Sequence, residues 1–376
     1  MEERNNFGKG SVAGNIMSMA VPMTVAQILN LLYNLVDRIY IGHIPGADSL
    51  ALTGVGLTFP IVSMITAFAG LFGMGGAPLC SIERGKGNQE RAEAIMQNAF
   101  WMLAGTGVLI MIAGYAAERP LLYALGGSDA TYVYASEYLK IYLAGTLAVM
   151  IGLGLNPFIN AQGFGKTGMV TVALGALINL VLDPLFIFVL HMGVKGAALA
   201  TVMAQCCSAV WVLFFLTGEK PLLRLKLRFG RPDWKIVGQI TALGTSNFIM
   251  NFTNSVVQVV CNRQIQFYGG DLYVGIMTVL NSVREVLTMV VIGMSNGAQP
   301  VISFNYGAGK KDRVRQGIRF MTAASIIYTC AAWAVTLAFP KFFIHMFNSE
   351  PELLAAGVPA MHIYFFGFCF MALQFS

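Results

Sequence analysis

Runs of about 20 or more apolar residues recur along the whole chain, separated by short joints that are charged or rich in glycine and proline. Segments of that length and hydropathy bury themselves in lipid, where every backbone N–H and C=O must be satisfied internally. These runs have helical rather than strand length, so the chain is expected to be an all-α polytopic membrane protein. Composition agrees: of 376 residues, 56% are hydrophobic and only 11% charged, with a mean hydropathy of +0.66. Soluble domains carry about a quarter charged residues. The runs fall at about 14–42, 50–80, 94–116, 132–160, 168–190, 196–217, 236–265, 272–300, 317–339 and 355–376, which predicts ten transmembrane helices. The first lacks a small-residue cleavage site and is too long for a signal peptide, so it is expected to be retained.

A net charge of +6 could point to nucleic acid, but its distribution points to membrane topology. Seventeen of the 24 Lys and Arg lie on the side of the amino-terminal tail, and the opposite joints hold Arg119, Lys195 and Lys341. The positive-inside rule then places the N-terminus in the cytoplasm. The basic run "EKPLLRLKLRFGRPDWK" becomes a cytoplasmic linker whose charges set topology and meet lipid headgroups. The six cysteines all fall in apolar spans without metal-ligand spacing, and buried free thiols are expected. The four histidines are scattered and imply no metal site.

The chain repeats itself. "GGAPLCSIERGKG" (Gly75–Gly87) and "GAQPVISFNYGAG" (Gly297–Gly309) share five of thirteen positions at an offset of 222. The same offset pairs Ala20 with Ala242, Leu50 with Leu272, Tyr142 with Tyr364 and Gly145 with Gly367. Six spans per copy, an even number, start both copies on the same side. Two six-helix lobes related by a parallel internal repeat follow, with substrate expected between them near the midplane. The expected division is a tail over 1–13, a first lobe over 14–217, a linker over 218–235 and a second lobe over 236–376. Ser376 aligns with Gly154, so the second copy reads as truncated, lacking about two spans.

Polar residues inside the spans are few and patterned. On span one, Gln27, Asn30, Tyr33, Asn34 and Asp37 form a single helical stripe. Span five, within "INLVLDPLFIF", carries Asn179 and Asp183 four residues apart on one face, and span six carries Thr201. At 1.5 Å per residue, Asp183 sits about 20 Å above the cytoplasmic end of its span, at a depth shared with Asp37 and Thr201. Amides and hydroxyls can serve as interhelical glue. A mid-membrane aspartate costs about 2.5–3.5 kcal/mol by insertion scales, which points to function. Two such carboxylates together can hold a proton or a sodium ion, Asp37 and Asp183 being the ligands in the latter case. Pro184 is expected to loosen the helix beside the ion.

The second lobe has no copy of this pair: at the 222 offset, Asp37 maps to Val259. It carries Arg284 and Glu285 instead, for which substrate contact and a conformational gate are both open readings. The turn "QGFGKTG" imitates a phosphate loop, but Asn160 stands where the first glycine is required and no strand precedes it.

The segments "VDRIYIG", "NAQGFGKTG", "NLVLDPLFIF…MGVKGAALAT" and "GAQPVISFNYGAG" together resemble the multidrug and toxin extrusion (MATE) family, near its MepA-like and DinF-type bacterial members. The resemblance covers nearly the whole chain. It implies two six-helix lobes that export organic cations in exchange for protons or sodium. Carried over residue by residue, it implies a cation-coupling site of Asp37, Asn179, Asp183 and Thr201, with Asn34, Tyr33, Asn156 and Pro22. The acidic residue that some members carry in span seven is not matched here.

The expected function is therefore a secondary-active multidrug efflux antiporter of the bacterial inner membrane, not an enzyme, with H+ or Na+ as coupling ion and no cofactor. Its partners are amphipathic cationic drugs and the lipid bilayer, with no nucleic acid, and a monomer is expected. The substrate cavity is expected to be rich in phenylalanine and methionine. Its polar contacts are expected from Gln27, Asn30, Asn160, Gln258, Asn254, Glu285 and Arg284. A lipid-linked oligosaccharide flippase of similar fold would need a basic cavity, and a membrane scaffold would have no reason to hold two membrane aspartates.

Overall fold

A computed structural model describes residues 6–42, 44, 48–226, 232–345 and 351–375. All its regular elements are helices among these residues. The long helices are α1 (Val12–Gly42), α3 (Phe59–Gly85), α4 (Gln89–Ala124), α7 (Gly165–Pro184), α8 (Gly193–Thr217), α9 (Trp234–Gly307) and α10 (Lys311–Ala338). Shorter helices are α2 (Asp48–Gly56), α5 (Asp129–Ala144), α6 (Thr146–Ala161), α11 (Pro340–His345), α12 (Pro351–Phe365) and α13 (Met371–Phe375). Eight helices, or nine counting one bent pair, are long and apolar enough to cross a membrane among the described residues.

Local chemistry sets several of the boundaries. Asn88 caps α4 by accepting from the backbone N–H of Arg91, and Ser128 and Thr131 form a reciprocal capping box at the start of α5. Asp233 caps α9 through the N–H groups of Lys235 and Ile236. Pro60 stands in the first turn of α3, where its missing N–H leaves no bond unmade.

The structure differs from the expected ten spans at two places. The expected span 132–160 is two helices, α5 and α6, bent by 57° at Gly145. A Cβ at Gly145 would stand 2.6 Å from the Val202 side chain, so close approach of α8 requires glycine at the bend. The seventh and eighth expected spans are two helices, as expected: the two parts of α9 meet without a loop at a kink at Gly270, whose φ of 66° lies in the left-handed region. The part of α9 before Gly270 is not among the helices that meet the length and hydropathy test, and several of its side chains lie outside the described residues.

The thiols also differ from expectation. All six cysteines are free, but only Cys80 is buried; Cys206, Cys207 and Cys330 are on the outer surface. A cysteine in an apolar span meets an apolar surrounding on either face, because lipid supplies what a protein core would.

One apolar core is drawn from α1–α6, α8 and the turn at Ile187, with α9 entering through Ile236 and Ile240. A separate cluster joins Ile276, Val279, Leu280 and Val283 of α9 to Ile344, Leu353, Met361 and Phe365. A third, smaller cluster ties α1 (Ile16, Met19, Ala20, Met23) to Ala298 and Val301 of α9 and Met321 of α10. The two halves of the repeat thus meet mainly through α1 and α3 against α9.

Candidate functional site

The centre of the site is Asp183, at the last turn of α7 and fully buried. Asn179, one turn earlier and 2% exposed, donates through Nδ2 to Asp183 Oδ1 at 3.2 Å and to Thr201 Oγ1 at 3.4 Å. The Thr201 hydroxyl gives its own hydrogen to the Ala197 carbonyl at 3.0 Å. Its lone pairs are therefore left to accept, and the amide of Asn179 faces two acceptors with its donor end. The second carboxylate oxygen of Asp183, Oδ2, is buried and receives no hydrogen bond.

Asp37 on α1 is in direct electrostatic contact with Asp183, within hydrogen-bonding range. Two carboxyl groups so placed bring four acceptor oxygens together. Away from water, such a pair is stable only with a proton on one member or a cation between them. The backbone beyond Asp183 is loosened as well. After Pro184 the chain runs through a π-helical turn, Leu185–Val189, which departs from the regular i, i+4 ladder.

Two tyrosines lie near the carboxylates, and Tyr33 lines the smaller cavity. Tyr33, on the α1 stripe, lies in the electrostatic field of both Asp37 and Asp183. Tyr138 of α5 is buried near Asp37 and Thr201. It stacks on Tyr142 with ring centroids 6.0 Å apart. The sequence reading missed Tyr138 and used Tyr142 only as a repeat marker. The available signal was their spacing, since two tyrosines four apart in a membrane span share a face and carry hydroxyls that need partners.

Beside this cluster lie two connected spaces. The larger, about 250 Å³, is lined by residues of α1, α3, α6, α7 and the last third of α9. Its polar walls are Gln27, Asn30, Asn156, Asn160, Asn296 and Gln299. The smaller, about 70 Å³, includes Tyr33, Asn179 and Thr201 and shares Asn30 and Asn156 with the larger. A line of neutral polar groups therefore runs from the larger cavity to the amide that holds Asp183.

Asn156 is oriented by its Nδ2 donating to the Gly168 carbonyl at 3.3 Å, which leaves Oδ1 buried and without a partner. Gly168 also makes room for Asn160, because a Cβ there would stand 2.1 Å from Asn160 Oδ1. The repeat-related prolines, Pro78 and Pro300, both line the cavity. Each withholds the N–H that the carbonyl four residues earlier would otherwise receive, and those residues, Met74 and Asn296, line it too.

The remaining sequence candidates fall as follows. Asn34 is exposed on α1 and donates to the Asn30 carbonyl at 2.7 Å. Pro22 lies inside α1, one residue before the cavity-lining Met23. Asn254, Arg284 and Glu285 lie on α9 outside both cavities, and Arg284 contacts Asn281 at 3.5 Å. The side chain of Gln258 lies outside the described residues. Asn296 and Gln299 were missed, because the offset alignment marks Pro300 but not the face its neighbours occupy. The cavity contains three methionines, Met23, Met74 and Met169, and no phenylalanine, so the expected aromatic lining is not present there. Among the described residues no three His, Cys, Asp or Glu side chains group as for a bound metal.

A family model described as MatE matches residues 22–185 and 246–376. The multidrug export protein MepA of Staphylococcus haemolyticus (strain JCSC1435) is 24% identical over 350 residues, spanning 93% of this chain and 76% of that protein. A crystal structure of MATE in the straight conformation superposes with a TM-score of 0.90 at 22% identity, over 99% of this chain and 84% of that one. The outward-facing conformation of a multidrug resistance MATE family transporter of the MOP superfamily gives 0.88 at 21% identity, over 98% and 84%.

Proposed function

The chain belongs to the MatE family of membrane transporters, and from that premise we propose that it is a secondary-active exporter of amphipathic organic cations driven by protons or sodium. The observation that carries the coupling half of this reading is the buried Asp183. Its Oδ1 is held by Asn179, its Oδ2 lacks a donor, and Asp37 stands against it. A proton or a sodium ion, here the transported counter-substrate, supplies the positive charge that this pair requires.

The export half is supported by the adjoining cavity, built from both halves of the repeat, and by the names of the relatives, which are multidrug export proteins. Met23, Met74 and Met169 give its wall adaptable apolar contacts, and the six amides offer hydrogen bonds in both senses. None of its lining residues is basic, which argues against a ligand carrying pyrophosphate.

In this account the two halves of the chain act as lobes that rock about the interface of α1 and α3 with α9, with the amino terminus on the cytoplasmic side. Occupation of Asp37 and Asp183 by the cation changes how Asn179 shares its donor between Asp183 and Thr201. Through Asn30 and Asn156 that change reaches the drug cavity, so cation and drug compete energetically rather than for the same atoms. The coupling equals the difference in cation affinity between the outward- and inward-facing states, and it works equally in both directions.

The test is ethidium efflux from cells expressing the full-length protein and its Asp183→Asn variant. The variant keeps side-chain size and removes the charge that needs a counter-ion. Loss of efflux with normal membrane insertion is expected, and undiminished efflux would remove Asp183 from the mechanism.

A further inference from the structure

The segment ahead of α1 is not free. Phe7 is 3% exposed and meets Phe304 of α9 edge-on, with ring centroids 5.9 Å apart. Arg84 of α3 places its guanidinium 5.5 Å from the centroid of the same Phe304 ring. The fork of Arg313, in the first turn of α10, donates through Nη2 to the Phe7 carbonyl at 2.9 Å and the Lys9 carbonyl at 3.1 Å. Its Nη1 donates to the Gly10 carbonyl at 2.9 Å. Arg313 Nε is aligned by Asn305 Oδ1 at 2.9 Å, Asn305 Nδ2 donates back to the Phe7 carbonyl at 3.1 Å, and Lys310 Nζ donates to the Gly8 carbonyl at 2.8 Å. A strap that leads into the first half of the chain is therefore gripped by the second half.

The reverse also holds. The linker that leads into α9 is gripped by the first half. Gln162 Oε1 accepts from the Leu223 N–H at 2.8 Å, Glu93 from the Arg224 N–H at 3.3 Å and from Lys226 Nζ at 2.7 Å, and Asn98 Oδ1 from the Asp233 N–H at 3.0 Å. Arg91 reaches Gln239 of α9 at 3.4 Å. At the 222-residue offset Arg313 maps to Arg91, Asn305 to Glu83 and Phe7-Gly8 to Phe229-Gly230, whereas Gln162, Glu93 and Asn98, which hold the linker, do not map to Arg313, Asn305 or Lys310. Phe229 and Gly230 themselves lie outside the described residues.

Between the straps the two halves touch backbone to backbone. A Cβ on Gly85 would stand 2.0 Å from the Phe304 carbonyl oxygen, and one on Gly307 would stand 2.0 Å from that of Ile82. Such a contact has little attraction of its own beyond dispersion and weak C–H···O bonds. The straps supply the directional, charge-assisted bonds that the contact itself lacks.

We propose that the tail and the linker are reciprocal latches, each leading segment held by the opposite half, and that release of Phe7–Gly10 from Arg313 is a required step in opening the face that carries them. The proposal rests on the alternating-access reading above, in which that face is cytoplasmic and opens once per cycle. It assigns Arg313, Asn305 and Lys310 to the closed state of that face rather than to drug or cation binding.

The test uses full-length protein with its native cysteines replaced and Ser81→Cys as reporter, in inside-out vesicles treated with a membrane-impermeant maleimide. Ser81 is fully buried on α3, where it lines the larger cavity and its hydroxyl donates to the Ala161 carbonyl at 3.4 Å. Arg313→Ala and Phe7→Ala are each expected to raise the labelling rate, by about tenfold for the arginine on the strength of its charge-assisted bonds. Arg313→Lys recovers part of the protection, and Arg315→Ala, a neighbouring exposed arginine, leaves the rate unchanged. Should Arg313→Ala fail to insert, Phe7→Ala removes the ring without altering any charge and gives the same reading. Labelling at the parental rate in the inserted Arg313→Ala and Phe7→Ala variants overturns the latch. Because labelling requires no transport, faster labelling in a protein that exports nothing keeps the latch and discards the transport reading instead.

Discussion

The Nδ2 group of Asn179 stands 3.2 Å from Asp183 Oδ1 and donates a hydrogen bond to that buried carboxylate. The same amide reaches Thr201 at 3.4 Å, so a single side chain ties α7 to α8 at the point where charge is buried. The amide is neutral. It orients the carboxylate without satisfying its charge, a task that the proposed mechanism gives to an exchangeable cation.

Replacement of Asn179 by alanine removes the donor and leaves both acceptors. A buried acceptor stripped of its donor costs about 1–3 kcal/mol. Asn179→Ala is therefore expected to lower thermal stability modestly and to reduce cation-driven dye efflux at least about tenfold, measured on the full-length protein. Asn179→Asp, by adding a third carboxyl to the cluster, is expected to impair efflux more than stability.

Thr201→Val tests the acceptor end of the same amide. Valine fills the space of threonine but accepts nothing, so the second bond of Asn179 is lost without a cavity. The expected result is a several-fold fall in coupled efflux, on the scale of one neutral hydrogen bond of about 1 kcal/mol, with Thr201→Ser close to the parent. Equal losses from valine and serine would show that packing of the methyl group, not the hydroxyl, is what matters.

Gly168→Ala bears on the drug cavity rather than on the cation. The added methyl would stand 2.1 Å from Asn160 Oδ1, and the asparagine must swing aside, since α7 cannot yield locally. Dye affinity is expected to fall while the response to an imposed cation gradient survives for whatever dye still binds. Fluorescence titration of the purified protein checks the first part and vesicle efflux the second.

How much of this was legible in the sequence follows from what each signal measures. Apolar runs report burial in lipid, so the spans could be placed, yet the bend at Gly145 could not. That bend depends on Val202, which is 57 residues away in the chain and within 2.6 Å of a Cβ at the glycine. Asp183 and Asn179 stood out because a carboxylate and an amide four apart are conspicuous against an oily background. Tyr138 did not stand out, because tyrosine is common in membrane spans and its role here depends on its approach to Thr201. The amides Asn296 and Gln299 needed the contact of α9 with α1 and α3 before they could be placed on a cavity wall. The strap at Phe7–Gly10 was hidden for a similar reason: its partner Arg313 is about 300 residues away, and a basic residue at a helix start reads first as a topology signal.

The central claim is that a cation held at Asp183 and Asp37 drives export, and the most direct measurement is dye efflux from proteoliposomes of the full-length protein under a pH gradient and a sodium gradient imposed separately. The parent is expected to respond to one of the two gradients, and Asp183→Asn, reconstituted to the same density, to neither. An Asp183→Asn protein that follows the same gradient at the parental rate would contradict the account.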